Sequence, residues 1–142
     1  MLVRIHKLYP DVELPKKADP GSSGFDLKSR ENVTLLPKET HLFKMGFRLE
    51  IPKGLEAQIR SRSGLSLNHQ VIVLNSPGTI DSSYTGEIGV IIHNSGNKPY
   101  SIQCEDRICQ MVFCHVPEIL FQETSTLSTT LRGDCGFGST GK

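Results

Sequence analysis

The sequence predicts an all-β protein, and three observations support this prediction. Residues 41–51, HLFKMGFRLEI, alternate apolar and polar side chains over eleven residues, which is the period of a half-buried strand. Further short segments rich in Val, Ile and aromatic residues follow at 55–62, 71–75, 87–94, 98–103 and 107–116. Turn-forming Pro, Gly and Asn residues separate them. Many short strands at this spacing are typical of a β-sandwich or barrel.

Composition narrows the class of protein further. The chain has 142 residues, of which 37% are hydrophobic and 22% charged, so one globular domain with its own core is expected. The formal net charge of +1 lacks the basic excess of most nucleic-acid binders, and no nucleic-acid partner is expected. No apolar run approaches the ~20 residues that span a bilayer, and the N-terminal residues lack a signal-peptide pattern. We therefore expect a cytoplasmic protein with no membrane partner.

Two stretches depart from the strand pattern. Residues 63–70, SGLSLNHQ, predict one short helix that Ser63 caps. From Gln122 the chain becomes polar, Gly-rich and unpatterned. We predict a domain over residues 1–121 and a flexible C-terminal arm over residues 122–142.

The end of the arm, GFGSTGK at 136–142, fits most of a phosphate-binding loop signature. Such a loop needs a strand before it and a helix after it, and the preceding residues do not predict a strand. The arm does carry a guanidinium, an aromatic ring and hydroxyl groups, which could close over an anionic ligand that contains a ring.

The four cysteines do not predict a metal site. Cys104, Cys109 and Cys114 are spaced by five residues, which places neighbours on opposite faces of a strand. No pair has the short CxxC spacing of zinc ligands, so ordinary thiols are expected.

Several polar residues in the strand-rich region have two possible interpretations. Arg62, Ser63 and Gly64 suit a phosphate at a strand-to-helix junction, but they also suit a capped surface helix beside a solvated arginine. Asp81 follows a hairpin predicted at Pro77-Gly78 and is either a turn cap or a catalytic carboxylate. Gly89 marks a bulge or a close backbone approach. Gln110 either faces solvent or lines a site.

Five motifs, in order along the chain, resemble those of the homotrimeric dUTP pyrophosphatases (dUTPases). They are SSGFDL (22–27), RSGLS (62–66), LNSPGTIDSSYTGEIG (74–89), EDRICQMVF (105–113) and RGDCGFGSTG (132–141). The resemblance spans nearly the whole chain. It implies a β jelly roll, a homotrimer with three active sites built from all three subunits, and hydrolysis of dUTP to dUMP and pyrophosphate. Mg²⁺ would be the cofactor, held mainly by the substrate phosphates and water and not by protein ligands.

The resemblance also implies catalytic roles. Asp81 would be the general base for the water that attacks the α-phosphorus, and Gln110 would lie against that water and the α-phosphate. Asp26 would support catalysis by pairing arginines or ordering waters, as would Asp106. The phosphates would be held by the second motif, namely by Arg62, Ser63 and Gly64.

By the same resemblance, the third motif would bind the nucleoside. A pocket of backbone groups would accept uracil and leave unpaired groups with cytosine, and a side chain under the sugar would exclude a 2′-hydroxyl. The residues that would make these contacts are Asn75, Gly78, Thr79, Ile80, Tyr84 and Gly89.

The fifth motif would make the arm a lid over a neighbouring site. Its ring would stack on uracil and its polar groups would reach the β- and γ-phosphates. The residues concerned are Arg132, Phe137, Gly138, Ser139 and Thr140.

The sequence departs from the family pattern at a few positions and leaves rival functions open. Glu105 stands where Gly is common, Cys135 where Gly or Ser is usual, and Gly89 where a longer residue is common. A dCTP deaminase, a catalytically silent nucleotide-binding protein and a purely structural jelly roll are the alternatives. The retained Asp81 and Gln110 favour the dUTP-hydrolysing enzyme.

Overall fold

Short strands dominate the chain, as the alternation of its side chains predicts. The computed structural model describes residues 1–137 and 139. These residues form ten strands and one helix: β1 Arg4–Lys7, β2 Phe25–Lys28, β3 Val33–Leu35, β4 Thr40–Glu50, β5 Leu55–Arg60, α1 Ser63–His69, β6 Val71–Val73, β7 Gly78–Ile80, β8 Glu87–Asn94, β9 Tyr100–Ile102 and β10 Arg107–His115.

The strands form two antiparallel four-stranded sheets that share one core. The first sheet has the order β1-β4-β8-β6, and the second has the order β2-β10-β5-β7. A two-stranded ribbon joins β3 to β9. The buried apolar residues of both large sheets form a single cluster, so the sheets pack face to face. The predicted all-β class with one short helix is confirmed.

The inward faces of the strands follow the predicted alternation. In β4, Phe43, Met45, Phe47 and Leu49 are all buried, while the lysine and arginine between them are exposed. The next strand alternates in the same way, with alternate residues of Leu55–Arg60 buried. Period-two patterning therefore determined which side of β4 and β5 meets the core.

The helix begins where the sequence predicts but is capped differently. Arg62, in an extended conformation, is the N-cap residue, and no side chain makes a capping hydrogen bond. The prediction that Ser63 caps the helix was wrong, because Ser63 already has helical backbone and is the first residue of α1. The helix ends at His69, and the C-cap residue Gln70 adopts a left-handed conformation.

The predicted hairpin at Pro77-Gly78 was also wrong. The N–H of Leu74 bonds the carbonyl of Ile91, which keeps β6 beside β8 in the first sheet. After the turn, Gly78 pairs with Ile59, which places β7 beside β5 in the second sheet. The turn therefore crosses between sheets instead of joining two paired strands.

The regular structure ends with β10 at His115. The N–H of Val116 still bonds the carbonyl of Gly54. Beyond it, the described residues form no further strand or helix, and the apolar side chains of Leu120, Phe121 and Phe137 are exposed. The boundary of the arm at Gln122 stays a prediction. Within the described residues, no helix has the length and apolarity needed to cross a membrane.

Candidate functional site

The first group of predicted site residues lies where β2, β10 and β5 run side by side. Asp26 of β2 is opposite Gln110 of β10, and Gln110 is opposite Arg60 of β5. Directly opposed residues in antiparallel strands point to the same face of the sheet. The pairing therefore brings together residues of the first and fourth motifs, next to the Ser61–Arg62 segment of the second.

A carboxylate at the centre of this group holds two guanidinium groups. Asp26 Oδ2 accepts a hydrogen bond from Arg107 Nη1 at 3.1 Å, and its Oδ1 is 3.4 Å from Arg62 Nε. Arg62 Nη1 also donates to the backbone carbonyl of Arg107 at 2.7 Å. The Asp26 side chain is only 18% exposed, so the cluster is held in a partly desolvated place. Two cations sharing one anion leave a surplus positive charge, which suits a phosphate.

Gln110 lines this group instead of pointing freely into solvent. Its Nε2 donates to the carbonyl of Ser61 at 3.1 Å. Gly24 makes room for it, because a side chain at Gly24 would collide with Gln110 Oε1. The Ser61 hydroxyl in turn accepts the N–H of Val73 at 2.8 Å. Gln110 is therefore positioned from both sides within one chain.

The sequence did not assign a role to the second cation, Arg107. The Asp-Arg pair at 106–107 was visible, but its partner Asp26 is 81 positions away. Asp106 itself acts as a turn cap, since its Oδ2 accepts the N–H of Gln103 at 2.8 Å. Beside the arginines, Ser63 and Gly64 are exposed on the first turn of α1, with open space around Gly64.

The second group lies along the edge of β8 that β6 leaves uncovered. The carbonyl of Ile91 accepts Leu74 N–H, so Ile91 and the residues two apart from it present their backbone groups toward β6. Two residues earlier, Gly89 presents its N–H and C=O beyond the end of β6. Two residues earlier still, the carbonyl of Glu87 accepts the Tyr84 hydroxyl at 3.0 Å. Within the described part of the chain, Gly89 is thus a single free donor and acceptor between two occupied positions.

Other third-motif residues border this edge. The Asn75 side chain packs against Gly78, where a Cβ would lie 3.2 Å from Asn75 Nδ2. Thr79 is exposed between them and Asp81. Ile80 is only 8% exposed and lies in the core opposite Ala57. Its predicted position beside a sugar stays a prediction.

Asp81 lies on an exposed turn directly after β7. The Tyr84 N–H bonds the Asp81 carbonyl at 3.1 Å, which closes the turn. In the described residues, no hydrogen bond or ion pair reaches the Asp81 carboxylate. A cavity of about 730 Å³ lies beside it, lined also by Lys53 and by the segment after β10 at Val116, Pro117 and Glu118.

Asp81 and the first group lie at opposite ends of β5. Ala57 pairs with Ile80 in an antiparallel ladder, so Asp81 falls beside Glu56 at the start of β5. Arg62 follows the other end of the strand. Arg62 is six positions after Glu56 along an extended chain, which is a distance of about 20 Å. One chain therefore does not bring Asp81 to the arginines or to Gln110.

The described arm residues do not join either group. Arg132 Nε donates to the carbonyl of Cys135 at 2.9 Å, and the N–H of Ser139 bonds the carbonyl of Gly136. Phe137 is fully exposed. Gly138 and Thr140, which the sequence predicts as ligand contacts, lie outside the described residues.

The cysteines and carboxylates do not form a metal centre in residues 1–137 and 139, where no cluster of three or more metal-ligating side chains occurs. All four cysteines are free thiols. Burial raises the pKa of the Cys109 thiol, which keeps it neutral in the core.

The chain is an all-β protein of the jelly-roll type, and its described residues hold a fixed cluster of two guanidinium groups on Asp26 and a free backbone edge at Gly89. The family model for dUTPase matches residues 10–141, and the chain belongs to the dUTPase family.

Similar proteins agree with this assignment. Deoxyuridine 5'-triphosphate nucleotidohydrolases of Helicobacter pylori (strain P12) and Crocosphaera subtropica are each 48% identical over 141 residues, covering 99% of this chain and 97% and 99% of theirs. The structure of Staphylococcus bacteriophage 80alpha dUTPase with dUPNHPP has a TM-score of 0.91 at 25% identity, with 99% of both chains covered. A mutant dUTPase from phage phi11 of S. aureus, with a structural Mg(II) ion, has a TM-score of 0.82 at 21% identity, covering 91% of this chain and 100% of the other.

Proposed function

We propose that this protein, a dUTP nucleotidohydrolase by family, works as a homotrimer in which each active site combines the two groups from different subunits. The observation that carries the proposal is the separation of Asp81 from Arg62 along β5, about 20 Å at the rise of an extended strand. A carboxylate that must meet a phosphate held by Arg62 and Gln110 needs a second copy to bridge that distance. Closed rotational symmetry then repeats the contact around a ring.

The reaction is hydrolysis at the α-phosphorus. A water molecule hydrogen-bonded to Asp81 attacks that phosphorus, and its proton passes to the carboxylate. The bond from the α-phosphorus to the bridging oxygen breaks, and pyrophosphate leaves with the electron pair while dUMP remains. Asp81 contributes by accepting the proton and by fixing the line of attack. The Gln110 amide would hold the same water or the α-phosphate.

The cation cluster would bind the triphosphate. Arg62 and Arg107 are already oriented by Asp26, so their charge needs little reorganisation when the phosphates arrive. Ser63 would add a hydroxyl group, and the open space at Gly64 would let a phosphate approach the backbone. Bound Mg²⁺ would neutralise charge on the phosphate oxygens. Asp26 would meet it only through the waters of the ion, because residues 1–137 and 139 hold no cluster of carboxylates that could enclose it.

The free edge at Gly89 would read the base. Uracil presents N3–H as a donor beside O4 as an acceptor, and one backbone C=O beside one N–H pairs with both. Cytosine presents an acceptor and a donor in the reverse order, so that donor would face donor and acceptor would face acceptor. A buried mismatch of this kind can discriminate by about 10⁴-fold. The Asn75 amide and the backbone of Gly78 and Thr79 would complete the pocket, and the ring of Tyr84 would lie under the sugar and exclude a 2′-hydroxyl.

The arm would close a site on a neighbouring subunit. Its exposed Phe137 ring would stack on the base, and Arg132, Ser139 and Thr140 would reach the β- and γ-phosphates beside Gly138. Closure of such a lid removes water and strengthens the polar contacts inside. We place the enzyme in the cytoplasm, where its four free thiols would stay reduced.

A pyrophosphate-release assay with dUTP, dCTP, dTTP and UTP, with and without Mg²⁺, tests this proposal. We expect Mg²⁺-dependent release from dUTP alone. Ammonia release from dCTP would point to a deaminase, and tight dUTP binding without turnover would point to a silent nucleotide-binding protein. Either result would overturn the proposed reaction.

A further inference from the structure

We infer that Leu42 is a specificity-determining residue that closes the outer side of the base-reading edge by covering Gly89. The inference rests on the proposed function, because it concerns the edge that would hold uracil. It adds a residue from β4, a strand that none of the five motifs includes.

The register of the first sheet places Leu42 next to the edge. In the β4–β8 ladder, Lys44 pairs with Gly89 and Leu42 pairs with Ile91, so Leu42 is the diagonal neighbour of Gly89. Between them, Phe43 and Val90 point into the core and are fully buried. Alternation then puts Leu42 and the missing side chain of Gly89 together on the outer face.

The Leu42 side chain fills the space that Gly89 leaves empty. A Cβ built on Gly89 would lie 3.0 Å from Leu42 Cδ1 and 3.8 Å from its Cγ. A contact of 3.0 Å is too short for two carbon atoms at rest, so any side chain at Gly89 would displace the leucine. Leu42 and Gly89 are therefore sterically coupled, and the leucine lies against the outer face of the residue whose backbone would meet the base.

This cover has an energetic consequence for recognition. Leu42 is 49% exposed, so it is a lid on the surface and contributes little to the core. An apolar side chain over the Gly89 peptide excludes water from one side of its N–H and C=O. Hydrogen bonds in such surroundings are stronger, and an unpaired group there costs more. Leu42 should therefore tighten uracil binding and increase the penalty for cytosine.

The test compares Leu42→Ala with Leu36→Ala, a matched control. Leu36 is 57% exposed and lies outside both site groups, between β3 and β4. For Leu42→Ala we expect KM for dUTP to rise about 10-fold and the dUTP-over-dCTP ratio of kcat/KM to fall about 10-fold, with kcat little changed. Leu36→Ala should leave both quantities at the wild-type values.

A second pair of variants separates recognition from structure. Gly89→Ala alone should raise KM because its Cβ displaces Leu42, and adding Leu42→Ala should relieve the clash so that the two effects are not additive. Additive effects would contradict the coupling. A fall in kcat for all nucleotides that tracks lower melting temperature or lost trimer would show that Leu42 is merely structural and would overturn the inference.

The outcomes also separate this inference from the proposed function. If the wild-type protein releases no pyrophosphate from dUTP, the proposed function fails. If the wild-type protein is active and Leu42→Ala keeps the wild-type KM and nucleotide ratio, only the inference about Leu42 fails.

Discussion

The two ends of β5 differ in how completely their polar groups are paired within one chain. At the Arg62 end, Asp26 binds two guanidinium groups, and Gln110 is held against the Ser61 carbonyl. At the opposite end, the described residues leave the Asp81 carboxylate exposed on a turn with no partner. One half of the site is thus organised by its own fold, while the other is presented outward.

Under the proposed function, this difference separates two tasks. Binding a triphosphate would need several charges fixed in advance, and the charge network inside one subunit would provide them. Water activation would need a carboxylate in a closed, dry site, and the exposure of Asp81 in the isolated chain provides neither. A subunit contact that covers the Asp81 end would supply both, so assembly and activity would be linked.

The largest effect is expected at the exposed end. Asp81→Asn keeps the size of the side chain but removes the proton acceptor. We expect kcat for dUTP to fall by about 10³-fold or more while the Kd for a non-hydrolysable dUTP analogue stays within a factor of a few. Single-turnover kinetics and calorimetry measure the two quantities.

The control for this variant is Glu50→Gln, which makes the same change of charge on an exposed surface pair with Arg4 that belongs to neither group. It should leave turnover at the wild-type rate. Near-normal turnover in Asp81→Asn would discard the assignment of the general base.

An intermediate effect is expected from removing the end of the arm. Truncation after Leu131 removes residues whose described hydrogen bonds are confined to the arm itself. The trimer and the melting temperature should therefore be preserved, while kcat falls about 100-fold because the site stays wet. Sedimentation, calorimetry and pyrophosphate release measure these three quantities, and normal turnover of the truncated protein would refute the lid.

The smallest effect is expected at a surface cluster near the organised end. Lys28 Nζ contacts Glu13 at 3.2 Å and Glu105 at 2.8 Å, which ties the N-terminal loop and the turn before β10 to β2. The left-handed φ of 73° at Glu105 explains why glycine is common at this position. Hydrogen bonds to the two carboxylates raise the pKa of Lys28, and the bond to Lys28 lowers the pKa of Glu13.

The signs of these two shifts define a pH window for stability. The raised pKa of Lys28 contributes stability that is present below its ordinary value of 10.5 and lost as pH rises through the folded value. The lowered pKa of Glu13 contributes stability that is present above 4.5 and lost as pH falls through the folded value. Lys28→Met should therefore lower the melting temperature by a few degrees at most at pH 7, with the difference shrinking toward pH 3. An unchanged difference at pH 3 would contradict the ion-pair origin.

The sequence predicted the strands better than their partners. Alternation is a local property, so the buried face of β4 could be derived from residues 41–51 alone. Turn-forming residues are also a local signal, but Pro77-Gly78 predicts a turn whether the next strand pairs with β6 or crosses to β5. The hairpin prediction failed for that reason. Sheet membership depends on contacts between distant segments, which no local pattern encodes.

The same limit applies to the site. The motifs identified Asp81, Arg62 and Gln110 as residues of interest. They did not reveal that Asp26 holds Arg107 as well as Arg62, because that depends on the β2–β10 register. Nor did they reveal that Gly89 is the free position on its edge among the described residues, since the hydrogen bonds of Ile91 and Glu87 decide which backbone groups remain available.

Mixing two inactive variants tests the shared site most directly. Asp81→Asn and Arg62→Ala each disable one end of β5, and each variant alone should be nearly inactive. When equal amounts of the two variants exchange subunits at random in a ring of three, roughly a quarter of the sites should receive both an intact Asp81 and an intact Arg62. The mixture should then show roughly a quarter of the wild-type dUTP turnover. Activity that stays at the level of the single variants, after mass spectrometry shows that subunits have exchanged, would mean that each chain uses its own Asp81 and Arg62 and would contradict the account.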